Sequence, residues 1–205
     1  MYAPAYNQND DRAELLAFMR ANNFALLVTA TGGAPAASHL PCIVEARGAE
    51  LALVMHMARA NPQWQQFFED EVLVVFSGPH AYVSPRWYEQ AERVPTWNYA
   101  ALHAYGRVTV LDERAAKHAA VAKLVAAHDP QWRPAFEALR EEYVDSMLEG
   151  IVAFEIAVTR LETRWKLSQN RGRREQERIA AQLEKSADGA ERALAELTRR
   201  HLVAD

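Results

Sequence analysis

Apolar and polar residues alternate along much of the chain, with the period of two that strands with one buried face show. The segments FALLVTA, AASHLPCIVEA and ELALVMHM follow one another and are separated by the short turns TGGAP and RGAE. Further strands are predicted in EVLVVFS, in GPHAYVS, in a long segment over residues 94–112, and in GIVAFEIAVTRLETRWKLS. The pattern therefore predicts about seven strands, most of them joined by hairpins.

Apolar residues at helical spacing mark the other segments. DDRAELLAFMRAN predicts a helix, and Asp11 and Glu14 near its start have the spacing of a capping box. ERAAKHAAVAKLVAAHD and RPAFEALREEYVDSML each predict one further helix. REQERIAAQLEKS and ADGAERALAELTRRHL predict two more helices at the end of the chain. Because the strands form hairpins, we predict a mainly β (α+β) barrel or sandwich over residues 1–170 and a helical tail over 171–205.

The turn RGAE sets the pairing of two predicted strands. If Arg47 and Gly48 occupy the turn, His39 faces His56 across the hairpin. Two neutral imidazoles there could bond to each other or to a ligand, and because no third metal-binding residue is obvious we predict no metal site. Pro41 indicates an edge position or a bulge.

The segment VPTWNYAALHAYG places its rings on one face of a strand. Trp97, Tyr99, His103 and Tyr105 all have odd numbers, whereas the even positions are mostly small. This face could pack in the core, form a subunit interface or support a flat ligand. Core or interface packing is the favoured interpretation.

Composition narrows the class of protein. Half of the residues are hydrophobic and the net charge is −4, which is typical of a soluble globular protein and argues against a generally basic nucleic-acid binder. The single Cys42, the absence of a signal peptide pattern and the absence of a long apolar run favour a cytoplasmic protein without a membrane span.

The charge is unevenly distributed. Residues 164–205 carry a net charge of +3, and the rest of the chain carries −7. The excess lies in RWKLSQNRGRREQER, a run that usually forms a solvated helix face. Beside its copy in a dimer, it could instead form a surface for phosphate groups.

Two short polar segments are candidate binding sites, each with a plain structural alternative. In HMARANPQW, Arg59 precedes a helix start at Asn61, which could hold a phosphate or be an ordinary capped helix with a surface arginine. In WKLSQN, Lys166 and Gln169 could bond a polar heteroaromatic rim, or the strand could simply end in a helix cap. The chain has no Walker A, G-x-G-x-x-G or H-E-x-x-H motif, so hydrolase, kinase and dinucleotide-fold dehydrogenase functions have no motif support.

Six stretches resemble the PaiB-type family of FMN-binding negative transcriptional regulators: MYAPAYN, SHLPCIVE, HMARANPQW, FSGPHAYVSPRWY, VPTWNYAALHAYG and WKLSQNR. They span residues 1 to about 171. The family is similar to flavin-binding split-barrel proteins, which resemble pyridoxamine-phosphate oxidases in fold and are typically homodimers with FMN at the subunit interface. The resemblance implies an antiparallel split barrel of about six to seven strands, flanked by helices.

The resemblance also implies FMN as cofactor and a set of candidate contacts. It places Arg59 and Asn61 at the phosphate end, with His56 on the preceding strand and Ser38 and His39 on the strand predicted to face it. It makes Lys166 and Gln169 candidates for the phosphate or the flavin rim, from either subunit, and it places Thr96, Trp97 and Asn98 at the edge of the ring system.

Three functions fit these expectations. The first is a dimeric FMN-binding repressor of transcription, with DNA contacted through the basic segment that starts near Arg171. The second is a small flavin-dependent oxidoreductase that uses NAD(P)H, for which the sequence shows no definite catalytic residue. The third is a flavin or haem carrier without catalysis.

Overall fold

The computed structural model describes residues 1–30, 33–67, 71–89 and 92–204. Thr31 and Gly32 of the predicted turn TGGAP, and residues 68–70 of the loop and short helix that ARANPQWQQFFEDE predicts, lie outside the described residues. The chain forms two compact units. The first unit comprises Met1–Leu15, Ser77–Leu102 and Glu162–Asp205, and the second comprises Leu16–Phe76 and His103–Leu161. The predicted boundary near residue 170 stays a prediction.

The described residues form one seven-stranded sheet. Its strands are β1 Phe24–Thr29, β2 Ala36–Pro41, β3 Ile43–Arg47, β4 Glu50–Ala58, β5 Val72–Val83, β6 Thr96–Val110 and β7 Ile151–Lys166. Their order is β2-β1-β5-β6-β7-β4-β3, and the β1–β2, β1–β5, β3–β4 and β4–β7 pairs are antiparallel. The predicted mainly β, antiparallel split-barrel class is therefore confirmed.

Six α-helices accompany the strands in the described part of the chain: α1 Arg12–Ala21, α2 Arg114–His128, α3 Arg133–Glu137, α4 Glu141–Glu149, α5 Arg173–Leu183 and α6 Gly189–Arg200. The Asp11 side chain accepts hydrogen bonds from the backbone N–H groups of Ala13 and Glu14, so Asp11 caps α1 as predicted. The reciprocal contact of the predicted capping box is wrong, because the Asp11 N–H donates to the Asn9 side chain and not to Glu14. No helix among the described residues is long and apolar enough to cross a membrane.

The single helix predicted over RPAFEALREEYVDSML is wrong. The segment forms α3 and α4, which are separated because Arg140 adopts an extended backbone before α4 begins. Glu141 and Glu142 then lie in the first turn of α4, where negative charge is favourable near the partial positive end of a helix. The sequence has no Gly at this break that could have signalled it.

The single strand predicted over AASHLPCIVEA is also wrong, because the chain breaks it at Cys42. The backbone N–H of Cys42 donates to the Asn23 carbonyl at 2.8 Å instead of continuing the strand. Pro41, which has no N–H to donate, is the last residue of β2. As a result β2 pairs with β1, and β3 pairs with β4. Although β2 and β3 are consecutive in sequence, they lie at opposite ends of the strand order.

The predicted pairing of His39 with His56 is contradicted by the register. Gly48 and Ala49, and not Arg47 and Gly48, occupy the turn, and Gly48 has a positive φ of 63°. His39 pairs with Leu26 in β1. His56 pairs with Ala153 in β7.

The two strands predicted in EVLVVFS and GPHAYVS form one continuous strand, β5. The pair Gly78 and Pro79 suggested a turn, but extended backbone is compatible with both residues. β1 pairs with β5 only from Leu73 to Val75. Pro79 lies beyond that pairing, so its missing N–H removes no hydrogen bond to β1.

The alternation in β6 is confirmed, but the core interpretation of its ringed face is wrong. The even positions from Asn98 to Gly106 are buried, whereas the odd positions remain partly exposed and Trp97 is 50% exposed. In the second unit, a Cβ placed on Gly106 would lie 2.7 Å from the Ile156 Cγ2 and still closer to the Ala157 carbonyl oxygen. Only glycine therefore permits this approach between β6 and β7. The interface role of the ringed face stays a prediction.

Candidate functional site

In the first unit, the last residue of β7 contacts the first residue of β6. The Lys166 ammonium donates a hydrogen bond of 2.5 Å to the Thr96 hydroxyl. Both residues were predicted to contact the flavin, and the fold brings them together although they lie 70 positions apart in the sequence. Their role in binding stays a prediction.

Lys166 belongs to a group of three basic residues, Arg164, Lys166 and Arg171, which we call the cationic cluster. Partial burial, followed by the charges of Arg164 and Arg171, lowers the pKa of Lys166. Among the residues that the structure describes, no acidic side chain counters this effect on the Lys166 pKa. The local potential is therefore positive, and an anion bound here would relieve the repulsion.

Aromatic rings hold the two arginines of the cationic cluster. The Arg171 guanidinium lies 4.1 Å from the centroid of the Tyr88 ring. The Arg164 guanidinium lies 5.4 Å from the Tyr2 ring centroid and donates a 2.7 Å hydrogen bond to the Tyr2 carbonyl. Such stacking fixes the position of a guanidinium without neutralising its charge.

The Tyr88 hydroxyl is buried and has no hydrogen-bond partner among the described residues. Burial is the main cause that raises its pKa, and the nearby Glu175 carboxylate also raises it. The charge of Arg171 acts in the opposite direction and lowers the Tyr88 pKa. The sequence did not predict Arg164, Arg171 and Tyr88 as cofactor contacts, although Arg164 and Lys166 share one face of a strand by their spacing.

Polar side chains stabilise the loop that follows Lys166. The side-chain oxygen of Gln169 accepts a hydrogen bond from the Leu167 N–H at 2.8 Å, and the side-chain NH₂ of Gln169 donates to the backbone carbonyl of Trp165 at 2.5 Å. The fully buried Asn98 bonds the Ser168 hydroxyl in both directions, at 2.9 and 3.2 Å. These contacts position the end of β7, and the predicted flavin contacts of Asn98 and Gln169 stay predictions.

Ser168 has a left-handed backbone, with φ 64° and ψ 29°. For a residue with a side chain this conformation costs about 1 kcal/mol. The hydrogen bonds to Asn98 offset this cost and stabilise the loop after Lys166. The position of the ammonium therefore depends on a buried polar pair that no local sequence pattern reveals.

Trp97 presents a partly exposed ring beside other rings of the first unit. Its centroid lies 5.7 Å from that of His80 and 6.4 Å from that of Tyr82. The three residues form an exposed aromatic surface. Such a surface can contact a flat ligand, which is the role predicted for Trp97.

In the second unit, Asn61 caps the short 3₁₀ helix Pro62–Gln66, as predicted. Its side-chain oxygen accepts from the Gln63 N–H at 3.0 Å, and its amide donates to the Ser38 hydroxyl at 2.9 Å. The structure thus brings together Ser38 and Asn61, two residues predicted at the phosphate end. Gln63, which the sequence reading missed, is buried and donates to the carbonyl groups of Leu27 and Ala36.

Arg59 has a structural role at the C-terminal end of α4. Its guanidinium donates to the carbonyl groups of Glu149 at 2.8 Å and Ile151 at 3.1 Å. A positive charge at a helix C-terminus is favourable, and the carbonyl groups there lack helical partners. The phosphate contact predicted for Arg59 stays a prediction, and two of its donor groups are already engaged.

The two histidines that were predicted to face each other occupy different places. His39 is exposed and stacks on Phe24, with ring centroids 5.7 Å apart. His56 lines an apolar cavity beside α2 and α4, and burial lowers its pKa. Their roles as cofactor ligands stay predictions.

A family model described as "Putative FMN-binding domain" matches residues 1–160. The chain is also 35% identical over 199 residues to "Protease synthase and sporulation protein PAI 2" of Bacillus subtilis (strain 168). That alignment covers 96% of each protein. The chain belongs to the PaiB-type family of FMN-binding proteins. Its cofactor is FMN, as the resemblance implied.

Solved structures support the fold of this PaiB-type protein. The flavocytochrome Anf3 of Azotobacter vinelandii superposes with a TM-score of 0.62 at 16% identity, over 80% of this chain and 72% of that one. An FAD- and haem-binding protein of Mycobacterium smegmatis gives a TM-score of 0.61 at 16% identity, over 78% and 73%. At this identity the similarity shows a shared fold.

The cationic cluster of the PaiB-type chain fits the FMN phosphate. The phosphate carries up to two negative charges and takes hydrogen bonds from ammonium and guanidinium groups. Partial burial and then the charges of Arg164 and Arg171 lower the pKa of Lys166, so an anionic group beside it would be stabilised. Hydroxyl groups such as that of Thr96 are also suitable phosphate partners.

Proposed function

We propose that this chain is a homodimeric FMN-binding protein that acts as a negative transcriptional regulator. The relative from Bacillus subtilis carries this proposal, because its name joins "protease synthase" with sporulation and both chains align over 96% of their length. That name links proteases to a developmental process. It favours regulation over a metabolic reaction.

On the cofactor side, we propose that Lys166 donates to the FMN phosphate and that Arg164 and Arg171 supply the surrounding positive potential. Thr96 holds the ammonium in place through its hydroxyl. Bound FMN would supply a redox-active ring system, and the residues of the chain bind and orient it.

For DNA, we propose the basic segment that starts near Arg171 as the contact surface. Its arginines form ion pairs: Arg173 with Glu177 at 3.0 Å, and Arg174 and Arg178 with Glu89 at 2.8 and 3.3 Å. The Arg174 side chain is 82% exposed. Exposed ion pairs contribute about 0–1 kcal/mol, so a DNA phosphate can displace Glu89 at small cost.

Fluorescence anisotropy with labelled genomic fragments, repeated across salt concentrations, tests the DNA proposal. We expect log affinity to fall linearly with log salt, and the double substitution Arg174→Gln with Arg178→Gln to reduce the slope by about two. Arg140→Gln is the matched control, because its side chain is also 82% exposed but lies outside the segment. A flat salt dependence, or no binding, would sink direct DNA contact.

Sedimentation velocity tests the homodimer separately. We expect a single species of twice the mass of the chain at micromolar concentration. A monomer that still binds FMN would contradict the dimer while leaving the cofactor assignment intact.

A further inference from the structure

The second unit contains an apolar cavity of about 250 Å³ beside His56 of β4. Residues of α2, α3 and α4, of the segments that join them, and Ile151 at the start of β7 form its other walls. They include His118, Trp132, Phe136, Tyr143 and Met147. The residues that line the cavity in the described part of the chain include no lysine, arginine, aspartate or glutamate. The cavity therefore favours a neutral occupant and offers no partner for a phosphate.

Aromatic rings form one wall of this cavity. The His118 ring stacks on Phe136 with centroids 5.1 Å apart and planes 22° apart. Trp132 meets the same Phe136 ring at 5.8 Å and 53°. Offset and tilted rings of this kind leave flat faces and edges that another aromatic ring can contact.

The mouth of the cavity is apolar and open to solvent. Trp132, Tyr143 and Met147 are 44%, 48% and 52% exposed. Large apolar side chains at this level of exposure, clustered around one cavity, are typical of a binding site and not of scattered surface residues. A small molecule can therefore enter from this side.

His56 supplies a polar group in the wall that β4 contributes. Burial lowers its pKa, so the imidazole is neutral at pH 7 and presents one donor and one acceptor nitrogen. No hydrogen bond joins this side chain to another residue in the described part of the chain. A ligand with one polar hydrogen would satisfy the acceptor nitrogen.

The cavity volume sets the size of the ligand. In another protein, an apolar cavity of about 150 Å³ binds benzene. The cavity here is larger, at about 250 Å³, and suits one or two fused rings. We propose that it is a second ligand site, distinct from the cationic cluster, for a small neutral aromatic molecule whose single N–H or O–H group donates to His56.

Calorimetric titration of the full chain, saturated with FMN, tests this site with two probes. Indole has the ring N–H that His56 would accept, and 1-methylindole has the same rings without that hydrogen. We expect indole to bind about tenfold more tightly, the factor expected for one hydrogen bond in an apolar site. His56→Leu should remove this difference by weakening indole alone.

Two further variants complete the design. Val125→Trp places a large side chain in the cavity and should abolish binding of both probes. His128→Leu is the matched control, because His128 is exposed at the end of α2 and does not line the cavity. It should leave both affinities unchanged.

Three outcomes would overturn the proposal. The first is no binding of indole to the FMN-saturated protein. The second is equal affinity of the wild-type protein for the two probes, a result that needs no variant to fold. The third is displacement of FMN by indole together with loss of FMN affinity in His56→Leu, which would assign the cavity to the flavin.

Discussion

The Lys166 ammonium and the Thr96 hydroxyl, joined at 2.5 Å, connect the end of β7 to the start of β6 in the first unit. Partial burial, and after it the charges of Arg164 and Arg171, lower the pKa of the same ammonium. The lysine is therefore held in one position within a positive potential. This arrangement matches what a phosphate group requires, and it can be tested apart from the ring system of FMN.

Lys166→Met should weaken FMN binding by about ten- to a hundredfold, because charge-assisted hydrogen bonds are worth about 1.5–3 kcal/mol. Riboflavin, which has no phosphate, should bind the variant and the wild-type protein equally. Fluorescence titration of both flavins provides the measurement. Lys185→Met, at an exposed position in the helical tail, is the control and should change neither affinity. Equal losses for FMN and riboflavin would place Lys166 at the ring instead.

Gly106→Ala should lower the free energy of unfolding by about 1–3 kcal/mol, the usual cost of overpacking. The added Cβ would lie 2.7 Å from the Ile156 Cγ2 and would also strike the Ala157 carbonyl. Urea denaturation measures the change. At Gly33 a Cβ meets no atom within 4 Å, so Gly33→Ala should be nearly neutral. Equal stability of the two variants would show that β6 and β7 can separate without cost.

Asn98→Ala should destabilise the protein by about 2 kcal/mol, because it removes a buried amide bonded to Ser168. Combined with Ser168→Ala in a double-mutant cycle, it should show a coupling free energy of about 1 kcal/mol. The exposed Asn170 in the same loop is the control, and Asn170→Ala should change little. Additive losses from Asn98 and Ser168 would mean that their bond does not hold the loop.

Stability should fall as pH drops below about 6.5, the ordinary pKa of the His56 imidazole. Burial lowers the pKa of His56 in the folded chain, so below pH 6.5 the unfolded chain binds a proton that the folded chain resists. Denaturation at pH 7.5 and pH 5 should show a smaller loss for His56→Leu than for the wild-type protein.

His118 and Tyr143 line the same cavity as His56. The comparison of stability at the two pH values therefore also includes a histidine variant outside the cavity. His128→Leu, at an exposed site, should keep the wild-type difference between the two pH values. If His56→Leu and the wild-type protein lose stability in parallel, burial of His56 is not the cause.

The period of side chains along the sequence predicted most of the strands, because alternation depends only on neighbouring residues. It could not tell which face of β6 is buried, because that depends on strands that are distant in the sequence. The rings at Trp97 and Tyr99 suggested a core face, yet the small even residues are the buried ones. In the β3–β4 hairpin, a turn shifted by one position moved every predicted partner.

The sequence could predict which residues belong to the candidate site, but it could not predict which of them contact each other. Thr96 and Lys166 were both predicted beside the flavin, and only the fold shows that they bond each other. Arg59 was predicted at the phosphate, but the segment HMARANPQW gives no sign that α4 ends beside it. Contacts of this kind join segments far apart in the chain, and no local pattern specifies them.

The break at Cys42 has a consequence for the order in which the chain folds. It separates two short hairpins, β1–β2 and β3–β4, each of which pairs residues close in sequence and can form early. The β4–β7 ladder, in which Ala52 meets Ala157, must wait for the ends of a long loop to meet. We therefore expect the closing of β7 onto β4 to limit the folding rate, with both hairpins already formed.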